Sequence, residues 1–131
     1  MYCLDTDIAV AFLRGQDSAV SFLTKLQESG VEISTTTLTL CELYRGAFLS
    51  PDVHKNLGLV NTFLERVNLL PEAKSSCIIY GQDFATLKKK GVMTQQMDLL
   101  IASICKANGQ ALITRNIRDF KNIPDLVVNS W

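Results

Sequence analysis

Short apolar runs rich in β-branched residues alternate along this chain with longer stretches in which apolar side chains recur every three or four positions. The short runs predict strands at residues 2–5, 31–35 and 111–114, with weaker candidates at 67–70 and 126–129. The longer stretches predict helices over 8–13, 18–27, 38–49, 53–65, 73–90 and 97–107. In the third of these, Leu40, Leu43, Tyr44, Ala47 and Phe48 fall at helical spacing and predict one continuous apolar stripe. Gly30, Gly91 and Gly109 stand where helices should stop, as left-handed C-terminal caps. Strand–helix alternation predicts an α/β fold with a parallel sheet covered by helices on both faces. In such sheets ligands bind beyond the carboxyl ends of the strands, so that rim is where chemistry is expected. The 131 residues suit one domain over positions 1–131, and no repeat or linker-like tract divides them.

Composition narrows the function classes. Hydrophobic residues make up 47% and charged residues 20%, which excludes a disordered or coiled-coil chain. Thirteen basic and thirteen acidic residues give zero formal charge, so a strongly basic nucleic-acid clamp is excluded, although a local basic patch is not. Cys3, Cys41, Cys77 and Cys105 contain no C-x-x-C pair, and His54 is the only histidine, which argues against zinc. Each cysteine lies among apolar neighbours and is expected to be a buried free thiol. The run IAVAFL is far too short to span a membrane and no signal-length segment precedes it, so a soluble, cytoplasmic protein is expected.

Four acids lie where a parallel sheet directs attention. Asp5 ends the first predicted strand inside LDTD; a helix N-cap before IAVAFL would account for it equally well. Glu42 lies off the apolar stripe of its helix, which ordinarily means a solvated face. Its apolar neighbours weigh against that, as does Gly46 one turn later, which suggests close approach of another group. Asp98 opens MDLLIASICKA, a helix apolar all round and therefore largely buried; a carboxylate there must be paired or hold a metal. A first-turn Asp favoured by the helix dipole is the plainer account. Asp119 follows the last confident strand in ITRNIRDF, where on its own it reads as a loop Asp capping a helical turn. Carboxylates gathered in one cleft repel one another and stay ionised at neutral pH only near a cation. An oxygen-only donor set suits Mg²⁺ or Mn²⁺. Such ions activate water and neutralise phosphate charge, so phosphodiester hydrolysis is the natural chemistry.

The segments YCLDTDIAVAFL, CELYRGA, MDLLIASICKANGQALITRNIRDF and IPDLVVNSW resemble the PIN-domain ribonucleases of the VapC toxin type, in order and along the whole chain. The resemblance implies a three-layer α/β/α fold with a central parallel sheet and a Mg²⁺-dependent endoribonuclease, with Mn²⁺ able to substitute. It further implies a toxin held by a small cognate antitoxin, and a homodimer. Position by position, the family's four acids match Asp5, Glu42, Asp98 and Asp119, with Asn116 standing as a second candidate for the fourth place. Thr6, Asp7, Thr114 and Asn116 are candidate supporting residues. The family pattern carries Asn where this chain has Asp7. It also carries a Gly- and Pro-containing approach to the third acid, where this chain reads GVMTQQMD. Arg115 and Arg118 beside the fourth acid are candidates for RNA phosphate contacts, because a guanidinium fork matches phosphate geometry. Lys88, Lys89 and Lys90 read as dipole partners on a solvated helix end, His54 as a surface residue, and Trp131 as packing rather than stacking on a base. Two other readings stand beside this one: a PIN-fold module that binds or processes RNA without a toxin role, and a receiver-like Mg²⁺ domain. VEISTTTL lacks the mid-sheet Asp that the second requires.

Overall fold

The computed structural model describes all residues, Met1–Trp131. Strands β1 (Tyr2–Leu4), β2 (Ile33–Thr36), β3 (Asn68–Leu70), β4 (Ala111–Ile113) and β5 (Val128–Asn129) form one sheet in the order β3-β2-β1-β4-β5. Every pairing is parallel, and the register sets Leu4 of β1 beside Thr35 of β2 and Ile113 of β4. Between the strands run α1 (Thr6–Leu13), α2 (Asp17–Glu28), α3 (Thr37–Leu49), α4 (Val53–Leu64), α5 (Lys74–Lys89), α6 (Gln96–Ala107) and α7 (Ile117–Phe120). Both weaker strand candidates are present, at the two edges of the sheet.

The period-two alternation of the strands builds two cores. Leu4 and Ile113 point into a core with Ile8, Leu23, Leu43 and Phe63 from α1–α4. Cys3 and Leu112, one position earlier in each strand, point into the opposite core with Leu99, Cys105 and Phe120 from α6 and α7. Helices thus cover both faces, as the alternation predicts. After β1, β2 and β3 have built one side, the chain crosses back to lay β4 on the free side of β1. The strand order reverses between β1 and β4, and that switch point opens the crevice used by ligands in sheets of this kind.

Several sequence expectations need correction. Helix α1 starts at Thr6, two residues early, because Asp5 caps it. Helix α7 was not expected. Phe48 is 63% exposed, so the apolar stripe of α3 ends at Ala47 and the last turn runs past the layer that covers it. Cys3 and Cys105 are buried, but Cys41 and Cys77 are exposed. Cys41 lies two positions from both Thr39 and Leu43, which carry the buried face of α3, so its apolar sequence neighbours are not its spatial ones. The adjacent Cys3 thiol and burial push the Cys105 thiol well above the usual range, which keeps it protonated. Gly30, Gly91 and Gly109 adopt positive φ, as their cap positions require.

Candidate active site

Asp5 follows β1 at the switch point. Its backbone N–H donates to Ile113 O of β4 at 3.0 Å. Its Oδ1 accepts from Thr6 N at 2.8 Å, and its Oδ2 accepts from Thr114 Oγ1 at 2.8 Å. The residue is therefore the N-cap of α1 and a rim carboxylate at once. Burial, at 4% exposure, pushes its pKa from 3.8 up to about 6; Thr114 and Thr6 pull it down, while Asp7 and Asp98 repel it.

Glu42 projects from α3 and is half-buried, with Oε1 accepting from Thr6 Oγ1 at 3.1 Å. The same Thr6 hydroxyl lies 3.3 Å from Thr39 Oγ1, so the first turns of α1 and α3 are stitched together over the rim. Gly46 has no close neighbour: a Cβ there would meet nothing within 4 Å, and the position opens onto a surface groove.

Asp98, in the first turn of α6, is half-buried among its apolar neighbours. Burial, and after it the charges of Asp119 and Glu42, raise its pKa from 3.8 to about 6. The helix dipole alone would lower it, so burial and repulsion outweigh the plainer account. Asp98 and Asp5 also repel each other, which makes Asp98 the acid in whose field the other three lie. Asp119, exposed on α7, lines with Asp98 a cleft of about 390 Å³ to which Thr94, Gln95, Arg118 and Lys121 contribute. Asp119 does not cap α7; Asn116 occupies that position without a side-chain capping bond. Asn116 reaches the group only through its backbone N–H, which donates to Thr114 Oγ1 at 3.0 Å.

Two candidates take a different place. Asp7 points at four donors: Ile8 N at 2.6 Å, Arg115 N at 2.7 Å, Thr114 Oγ1 at 3.2 Å and Trp131 Nε1 at 3.3 Å. Arg115, exposed at the rim, turns its guanidinium onto Trp131 and Ser18. Its guanidinium carbon lies 3.5 Å from the Trp131 ring centroid, with Nε on Trp131 O at 3.2 Å and Nη2 on Ser18 Oγ at 3.3 Å. Sequence reasoning missed this link; the one local hint was a lone indole donor following an apolar strand.

No three His, Cys, Asp or Glu side chains draw together into a group that could hold a metal ion by themselves. None of the rim acids is in an ion pair: the one ion pair is Lys106–Asp83, at 2.7 Å between α5 and α6. That arrangement suits Mg²⁺, which retains several waters and takes one or two carboxylates plus substrate phosphate instead of an all-protein cage. It does not suit zinc.

The family model for the PIN domain matches residues 2–126. The chain belongs to the PIN-domain family, in its VapC group. This PIN domain is 33% identical to Ribonuclease VapC2 of Rickettsia felis, over 100% of this chain and 98% of that relative. It is 29% identical to the tRNA(fMet)-specific endonuclease VapC of Salmonella typhimurium, over 99% of this chain and 97% of the relative. Among solved structures, the PIN domain superposes with a TM-score of 0.93 on VapBC2 from Rickettsia felis bound to a promoter DNA fragment. Identity there is 31%, with 99% of this chain and 98% of that one covered. DNA-bound VapBC from Salmonella typhimurium gives a TM-score of 0.91 at 26% identity, covering 99% and 97%. No helix of the PIN domain is long and apolar enough to cross a membrane.

Proposed function

We propose that this chain is a Mg²⁺-dependent endoribonuclease and the toxin of a toxin–antitoxin pair, with Asp5, Glu42, Asp98 and Asp119 holding the ion. The observation that carries this is Asp98: a half-buried acid pushed up to about 6 by burial and by Asp119 and Glu42, with no basic partner. A perturbed acid in a cleft without a basic partner marks a place where a cation or a reacting proton can use it. Relatives named ribonuclease and endonuclease support the chemistry, and solved neighbours that are VapBC complexes support a small antitoxin as partner. A homodimer is part of the same proposal.

When bound, the ion supplies charge neutralisation on the phosphate and lowers the pKa of water. The side chains of the chain do the rest. Thr6 N–H and Thr114 Oγ1 fix both oxygens of Asp5, while Thr6 Oγ1 fixes Glu42. Asp98, which no protein donor ties down, takes the proton of the attacking water at its carboxylate. Arg118 and Lys121, which line the cleft with Asp98 and Asp119, bind RNA phosphates there.

The purified protein should cleave single-stranded or loop RNA with Mg²⁺ or Mn²⁺, and not with EDTA or Ca²⁺, whose looser coordination fills the site without the tight octahedral geometry. Gel analysis of a defined RNA in the four conditions reads this. Cleavage that persists in EDTA refutes the metal-dependent mechanism, and RNA bound but intact in every condition identifies a non-catalytic module.

A further inference from the structure

We propose that Trp131 is a positioning residue for the acid rim, acting through Asp7 and Arg115 to reserve the Thr114 hydroxyl for Asp5. The inference rests on the reading of that rim as a Mg²⁺-dependent nuclease site.

Thr114 Oγ1 has one hydrogen and two carboxylates within reach: Asp5 Oδ2 at 2.8 Å and Asp7 Oδ2 at 3.2 Å. The Asn116 N–H donates to the same oxygen at 3.0 Å, which occupies a lone pair and restricts the hydroxyl's rotation. Whether the hydrogen serves Asp5 or Asp7 depends on how well Asp7 is satisfied by other donors. The Ile8 N–H serves Asp7 Oδ1 at 2.6 Å, and Trp131 adds to that. Its Nε1–H donates to Asp7 Oδ1 at 3.3 Å. Its ring and carbonyl hold the Arg115 side chain, by stacking at 3.5 Å and by the Nε bond at 3.2 Å. The backbone N–H of Arg115, just past the end of β4, donates to Asp7 Oδ2 at 2.7 Å, beside the side chain that Trp131 holds. With Trp131 in place, Asp7 has a second donor on Oδ1 beyond the two backbone N–H groups of Ile8 and Arg115, and the Thr114 hydrogen stays on Asp5. Without it, Asp7 competes for that hydrogen, and Asp5 loses the bond that orients Oδ2 toward the rim.

The chain has a single tryptophan, so the indole itself reports on the rim. The experiment uses the full chain in three measurements: intrinsic emission during a Mg²⁺ titration, Mg²⁺ binding by calorimetry, and kcat and KM on a short RNA well below the melting midpoint. Wild-type emission should change saturably at the Mg²⁺ concentration where cleavage saturates, and Asp5→Asn should show no such change. Trp131→Phe keeps a ring beneath Arg115 and removes only the Nε1–H. It should lower kcat by about three- to tenfold at unchanged KM and raise the Mg²⁺ midpoint, because small misplacements at a reacting centre are costly. Trp131→Ala should lose roughly tenfold or more; if it does not fold, the Phe variant still decides. Emission that stays flat through the cleavage midpoint overturns the inference. Trp131→Phe with wild-type kcat and Mg²⁺ midpoint overturns it too. Both results leave the nuclease reading standing, whereas a wild type that neither binds Mg²⁺ nor cleaves RNA defeats that reading and this inference together.

Discussion

Asp98→Asn should reduce RNA cleavage on the order of 10²- to 10⁴-fold, the usual contribution of a positioned general base, while the protein stays folded. The amide is close to isosteric with the carboxylate, and no donor in the protein is bonded to the Asp98 side chain, so no native hydrogen bond is lost. What disappears is a half-buried charge repelled by Asp119, Glu42 and Asp5. Metal-free stability near neutral pH should therefore be unchanged or higher. Paired measurements of cleavage rate and melting midpoint separate the two effects. A variant that cleaves normally removes Asp98 from the site, and one that unfolds makes Asp98 structural.

The second large effect is a linkage between pH, divalent cation and stability. Asp5 and Asp98 both have folded-state pKa values near 6, above the 3.8 of a free carboxyl. Above pH 3.8 the unfolded chain ionises freely while the folded one still holds protons, so these acids oppose folding increasingly up to about pH 6 and constantly thereafter. The full penalty is on the order of 2–3 kcal/mol for the buried Asp5 and smaller for the half-exposed Asp98, whose charge solvent screens, and the two do not simply add because they interact. It is absent below pH 3.8, where both states are protonated. Metal-free protein should thus lose stability from these groups as pH rises from 4 to 7. Mg²⁺ at 100 times its Kd should restore about 2.7 kcal/mol, a rise of roughly 10 °C in the melting midpoint. Asn caps helices as well as Asp does, so Asp5→Asn should melt at or above the wild-type temperature without metal at pH 7 and gain little from Mg²⁺. A melting series across pH, with and without Mg²⁺, reads all of this. An equal Mg²⁺ shift in the two proteins, or a large metal-free loss in the variant, would make Asp5 a structural cap and no more.

How much of this was legible beforehand follows from the range over which each feature is encoded. Asp98 stood out because a carboxylate inside MDLLIASICKA breaks an apolar helix, a purely local contrast. The rim ends of β1 and β4 were visible because apolar runs stop at Asp5 and Thr114. The edge strands β3 and β5 gave weak patterns because edge positions such as Asn68 and Asn129 are exposed and relax the alternation. The four residues of α7 are too few to show a helical period. The bond from Trp131 to Asp7 spans 124 positions and exists only because the chain after β5 runs past the end of β4, beside Thr114 and Arg115, so no local pattern encodes it. Arg115 was expected to meet phosphate for the same reason: its charge is readable in the sequence, but the aromatic ring that engages it is not. The exposure of Cys41 likewise depends on which side of α3 meets α1 and α4, and a run of apolar neighbours does not reveal that.

The central claim is that one rim of acids around Asp98 holds the divalent ion used to cut RNA. A crystal of the wild-type protein soaked in Mn²⁺, with data collected for the manganese anomalous signal, tests it most directly. The account predicts an anomalous peak among Asp5, Glu42, Asp98 and Asp119 that vanishes in Asp98→Asn. A Mn²⁺-active protein whose only anomalous peak lies elsewhere, or whose peak survives in Asp98→Asn, would contradict it.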